Sequence, residues 1–154
     1  MTVVALDESK TDHFEIEHPP IGYKLHINSE QNIADGVFID FVLLNNSEDD
    51  LSVLTWNTPL EGFYSALFII EDQYEQSVPY QGLVEKRTKP SAFDYQLIRA
   101  GGNVGTLLDL SSVYSLRSGK YKIQLNKKTL QIIKNDMPMS ICQCQTDILT
   151  FTVI

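Results

Sequence analysis

Apolar and polar positions alternate in short runs along most of the chain. Tyr23-Lys-Leu-His-Ile27 switches sides at every residue, the period-two signature of a strand with one face covered. Gly36-Val-Phe-Ile-Asp-Phe-Val-Leu-Leu44 is a longer β-branched and aromatic run that predicts a central strand, and Asn45-Asn-Ser-Glu-Asp-Asp50 then supplies turn chemistry. Leu51 to Trp56 and Ala66 to Ile70 read as the next two strands, with Pro59 and Gly62 marking the connection between them. Shorter strands are predicted around Tyr80 and over Leu83–Lys86, Tyr95–Ile98, Val104–Leu108, Tyr121–Leu125 and Ile148–Ile154. Gly101-Gly102 and Ser118-Gly119 punctuate these runs as turns.

The segment from Lys127 to Gln145 has no single reading. Leu130-Gln-Ile-Ile-Lys134 fits a strand or a helical turn, and Met137-Pro-Met139 with the following cysteines reads as an insertion or loop before the final strand. Many short strands without long helical periodicity predict an all-β fold, an immunoglobulin-like antiparallel β-sandwich of about 7–9 strands. Trp56 is expected to fill its core. Residues 1–20, rich in Asp, Glu and His and closed by Pro19-Pro20, read as a loose N-terminal arm, and residues 21–154 as one sandwich domain.

Composition narrows the function. With 154 residues, 43% hydrophobic and 21% charged, the chain is long enough and apolar enough to bury a core unaided. Its formal net charge of −8 repels polyanions, so nucleic acid is disfavoured as a partner. No apolar run is long enough for a membrane-spanning helix, and Met1 to Lys10 lacks the basic and apolar regions of a signal peptide. The expectation is a cytoplasmic protein, or a secreted one if a signal has been removed.

Candidate chemistry is sparse. His13 and His18 flank Glu15 and Glu17, a set able to hold a metal if ordered but more simply a solvated arm. His26 sits in an alternating strand and reads as structural. Cys142 and Cys144, one residue apart, fit no disulfide framework or four-ligand zinc site, although two such thiols on one strand face can bridge to a second chain. Glu61 has no identifiable acid or base partner, and the chain has no Gly-x-Ser-x-Gly elbow. No catalytic residue, metal ligand or cofactor is assigned. The basic cluster Lys86-Arg-Thr-Lys89, preceded by Glu85 and followed by Pro90, can form a local positive patch in an acidic chain. Glu85, Lys86, Arg87 and Lys89 are therefore the candidate contact residues, against the plainer reading of a charged strand end. On the first reading, replacing Lys86 and Arg87 by Ala weakens partner binding and leaves thermal stability unchanged.

One resemblance bears on these residues. Leu54-Thr-Trp-Asn-Thr-Pro-Leu-Glu-Gly62, Tyr80-x-Gly82, Lys86-Arg87 with Pro90, Asp94-Tyr95, the Gly102 turn, Asp109-Leu-Ser111 to Tyr114 and Gly119-Lys-Tyr121 occur in that order. The stretch from Ile21 to Leu125 resembles the N-terminal, propeptide-like β-sandwich module of deuterolysin-like (aspzincin, peptidyl-Lys) metallopeptidases, and the chain ends about where that family's zinc domain would begin. The resemblance stops short of the chemistry: His13, His18 and His26 form no His-Glu-x-x-His motif, so peptidase activity does not carry over. What it implies is a non-catalytic module that inhibits or chaperones a metallopeptidase. The alternative is a structural or assembly module that pairs with another subunit, or with a second copy of itself, through edge strands.

Overall fold

The computed structural model describes residues 20–126, 129–142 and 147–154, the Cys142 side chain excepted. The arm before Pro20, with its His and Glu residues, and the thiols of Cys142 and Cys144 lie outside the described residues. Eleven strands and four single-turn 3-10 segments make up the regular structure, and no α-helix occurs among the described residues. The protein is an all-β sandwich. Among the described residues no helix is long and apolar enough to cross a membrane.

Three sheets share one core. In the first, β3 (Phe38–Asn45) lies between β1 (Ile21–Ile27) and β7 (Asn103–Asp109), antiparallel to both. In the second, β4 (Leu51–Leu54) lies between β6 (Tyr95–Ile98) and β9 (Thr129–Lys134), and β10 (Met137–Cys142) extends the edge beyond β9. In the third, β8 (Gly119–Leu125) lies between β5 (Phe68–Asp72) and β11 (Leu149–Val153). The two-residue β2 (Glu30–Gln31) pairs parallel with β11, the one departure from antiparallel pairing among the named strands.

Alternation converts directly into burial. Ile39, Phe41 and Leu43 of β3 are sealed while Phe38 and Asp40 face out. Leu51 and Val53 of β4, Tyr121, Ile123 and Leu125 of β8, and Leu130 and Ile132 of β9 complete the same cluster. Each large side chain sealed this way contributes roughly 1.5–3 kcal/mol. Trp56 is absent from that core and sits half-buried at its rim, because the strand carrying it ends at Leu54 and the chain turns outward.

Two further expectations are corrected. The ambiguous segment is a β-hairpin: Asn135 and Asp136 both take left-handed backbone (φ 51° and 63°) and set Met137 opposite Lys134. Asn and Asp are the non-glycine residues that tolerate that region, and Pro138 is acceptable because β10 is an edge strand. Leu83–Lys86 forms no strand. Its apolar residues are adjacent instead of alternating, so no register buries both against one sheet face.

Two polar side chains fix the corners. The Asn45 side chain is almost wholly buried; its Nδ2 donates to the carbonyls of Asp49 (2.8 Å) and Ile98 (2.9 Å), and its Oδ1 accepts from the N–H (3.0 Å) and hydroxyl (2.7 Å) of Ser47. All four bonding positions of the amide are used, joining the end of β3, the turn and the end of β6. Asp109 caps the 3-10 segment Leu110–Ser112, accepting from the N–H of Val37 (3.0 Å) and from the N–H (3.0 Å) and hydroxyl (2.6 Å) of Ser111. Partial burial raises the Asp109 carboxyl, but these donors outweigh it and hold the group below its ordinary 3.8.

Asn45→Ala orphans two backbone carbonyls and is expected to cost roughly 3 kcal/mol in urea unfolding, against under about 1 kcal/mol for Ser47→Ala. Asp109, with its folded value depressed, contributes stability that is present above about pH 4 and lost as pH falls through the folded value. Asp109→Asn is expected to flatten that acid limb in stability measured from pH 6 to pH 2, and an unchanged limb would remove Asp109 as its source.

Candidate functional site

The segment from Tyr80 to Ser91 crosses the surface without helix or strand, and it is fastened at several points. Tyr80 roots it: its ring lies 5.7 Å from Tyr114 and 6.3 Å from Phe63, and Phe63 meets Phe68 and Tyr114 edge-on. The Tyr114 hydroxyl, whose pKa burial pushes up to about 12, donates to the carbonyl of Phe68 (3.2 Å) inside this cluster. Gln81 N–H donates to the Val113 carbonyl (2.8 Å). A Cβ at position 82 would come within 2.7 Å of both the Tyr80 ring and Val113, so any larger residue there requires those side chains to move. The Tyr80 hydroxyl then donates to the Leu83 carbonyl (2.5 Å), and Glu85 N–H to the Tyr64 carbonyl (2.9 Å).

The strongest fastening is Arg87. Its Nη1 donates to Glu61 Oε1 at 2.7 Å, with the two side chains only 19% and 11% exposed. The guanidinium carbon stands 5.0 Å from the Trp56 ring centroid and 5.4 Å from that of Tyr64, within cation–π range of both. The basic pair is thus divided: Arg87 turns inward to the fold, while Glu85, Lys86 and Lys89 are exposed.

Each residue of the Trp56–Gly62 run has a part in building the receptor for Arg87. Thr58, buried, accepts from Leu60 N–H and donates to the Thr55 carbonyl (2.7 Å), capping the 3-10 turn Pro59–Glu61. Pro59 occupies the first position of that turn, where a missing N–H costs nothing, and Gly62 leaves it at φ 91°, a region closed to most side chains. Asn57 takes φ 60° and donates its N–H to Glu61 Oε2 at 2.7 Å. Both Glu61 oxygens are therefore engaged, one by Asn57 and one by Arg87.

On the far side, Ser91 and Asp94 form a reciprocal capping box around the turn Ala92–Asp94. The Asp94 carboxyl is held below its ordinary range, first by the Ser91 N–H (2.8 Å), then by the Trp56 indole and the Ser91 hydroxyl, and last by the Arg87 charge. Trp56 thereby meets Arg87 with its ring face while helping to hold the Asp94 carboxyl down. The box leaves Phe93 98% exposed, and Leu83 and Val84 on the same loop are each 69% exposed. The loop presents apolar side chains and two free lysines from a rigid base, a composition suited to contact with another protein.

Elsewhere the chemistry is thin. His26 is exposed, with Nδ1 3.5 Å from Asp40 Oδ2. Among the described residues no group of three or more His, Cys, Asp or Glu is placed to hold a metal ion. Sequence reasoning found the basic cluster and missed its partners, because Glu61 and Arg87 lie 26 positions apart with no local pattern joining them.

No protein-family model matches the chain. Over 104 residues, 67% of its length, the chain is 29% identical to an extracellular protease of Aeromonas hydrophila, of which the matched part is 30%. The chain thus spans under a third of the length of the curated relative that it matches.

Removing the Arg87 guanidinium leaves Glu61 buried without its cation. Arg87→Ala is expected to cost about 2–4 kcal/mol and Lys86→Ala under about 0.5 kcal/mol in urea unfolding. Arg87→Lys is expected to recover only part of the loss, since an ammonium lacks the planar face that two rings cover. The Lys86/Arg87 double replacement consequently lowers stability through Arg87, and equal losses for the two single variants would remove the clamp.

Proposed function

We propose that the protein is a non-catalytic binding module related to the propeptide-like sandwich of deuterolysin-type metallopeptidases, and that it inhibits or chaperones such an enzyme by covering its surface. The observation that carries this reading is the division of labour within the loop. Arg87, Glu61 and Trp56 hold the backbone, while Leu83, Val84, Lys86 and Phe93 stand in solvent with no structural work to do. A loop fixed before encounter loses little entropy on binding, which favours affinity from a small contact area. Loops on a rigid sandwich commonly serve as contact sites.

The similarity to an extracellular protease supports the direction of this reading, because the matched part is far too small to represent that whole protein. It also favours a secreted partner over a cytoplasmic one. The ordered carboxylates near the loop point the same way. Glu61 accepts from the Asn57 N–H and from Arg87, and Asp94 from the N–H and hydroxyl of Ser91, so both carboxylates already serve the local architecture.

Titration of the protein into a purified deuterolysin-type metallopeptidase is expected to slow cleavage of a peptide substrate at micromolar concentration. Calorimetry should show direct association that Lys86→Ala and Phe93→Ala weaken without lowering thermal stability. An unchanged cleavage rate together with no heat of binding would sink the reading.

A further inference from the structure

Lys86 is the cationic residue of the loop that is held on both sides by its immediate neighbours while its own side chain is free. On one side Glu85 N–H is bonded to the Tyr64 carbonyl; on the other, Arg87 is locked to Glu61 between two aromatic rings. Leu83, three residues earlier, is fixed through its carbonyl by Tyr80. We infer that Leu83–Lys89 is a bait loop for a peptidase whose specificity pocket is anionic, with the Lys86 side chain as the group inserted. This rests on the reading of the protein as a protease-binding module and extends it from metallopeptidases to serine peptidases with an anionic pocket, naming the residue they would read.

An exposed lysine on a fastened surface loop fits a pocket floored by a carboxylate, and in a chain of net charge −8 the pair Lys86 and Lys89 is a local positive point that such a pocket would attract. The bond after Lys89 is unsuitable, because Pro90 supplies an imide nitrogen with no N–H. The Lys86–Arg87 bond remains. If a serine nucleophile attacks the Lys86 carbonyl, an acyl bond forms, the C–N bond to Arg87 breaks, and the Arg87 amine leaves with the proton delivered by the enzyme's general acid. That amine cannot diffuse away, since its own side chain is clamped to Glu61. It stays against the acyl carbon, returns the proton to the enzyme and reforms the peptide bond faster than water completes hydrolysis. The clamp thus converts a substrate sequence into a slow, tightly held one.

Trypsin, whose pocket carries a carboxylate, is the probe, and chymotrypsin, with an apolar pocket, is the control. The intact protein is expected to inhibit trypsin at micromolar concentration or below, with the Lys86–Arg87 bond largely uncleaved by mass spectrometry after hours. Lys86→Ala should weaken inhibition by at least about 100-fold, and Lys86→Leu should transfer inhibition to chymotrypsin. Glu61→Gln, milder than Arg87→Ala, should leave the protein folded by circular dichroism yet cleaved after Lys86 many times faster. No inhibition of trypsin by the folded wild type, or equal cleavage rates for wild type and Glu61→Gln, overturns the inference. Loss of trypsin inhibition with metallopeptidase binding intact defeats the bait loop alone; the reverse result defeats the metallopeptidase reading alone.

Discussion

A desolvated guanidinium is costly unless every side of it is answered, and Arg87 is answered on three. A carboxylate takes one N–H, and two aromatic faces take the plane. That arrangement constrains everything around it. Glu61 reaches Arg87 only because the 3-10 turn Pro59–Glu61 lifts it, and the turn forms only because Thr58 caps it, Pro59 begins it and Gly62 can leave it at positive φ. Trp56 offers its ring face to the guanidinium at 5.0 Å. Two stretches of chain distant in sequence are thereby fused into one surface feature.

The sandwich beneath makes such a feature affordable. A surface segment as long as Tyr80–Ser91 would ordinarily stay mobile, since each residue fixed loses roughly 1–2 kcal/mol of backbone entropy. Here its entrance is set into the aromatic cluster of Phe63, Phe68, Tyr80 and Tyr114, and its exit into the capping box that starts β6. β6 is itself held to β4 and, through the Asn45 amide, to the end of β3. Rigidity in the loop is borrowed from the core by way of both its ends.

What could be read from the sequence follows from what is local. Short alternating runs and β-branched or aromatic runs located β1, β3, β4, β5, β6, β7, β8 and β11, because strands impose those patterns on nearby residues. The β9–β10 hairpin was less legible: its turn is Asn135-Asp136 without glycine, and Met137-Pro-Met139 has too little alternation to announce an edge strand. Trp56 was read as core because a large aromatic beside a strand usually is, and only the early end of β4 puts it at the rim. Lys86 and Arg87 look identical in sequence. Their opposite fates depend on a carboxylate 26 residues earlier, which no spacing rule connects to them.

The carboxylates show where the molecule's electrostatic resources go. In a chain with an eight-charge acidic excess, the best-placed acids are spent on shape: Glu61 on Arg87 and Asn57, Asp94 on Ser91, Asp109 on Val37 and Ser111. Asp94 and Asp109 are held below their ordinary range, a state in which they accept hydrogen bonds and do not exchange protons near neutrality. Lys86 and Lys89 are among the exposed cations, and they sit on a segment fastened at several points without being part of a sheet. Fixed geometry, free positive ends and carboxylates already committed are the conditions for recognition, and they meet at the loop that Arg87 holds.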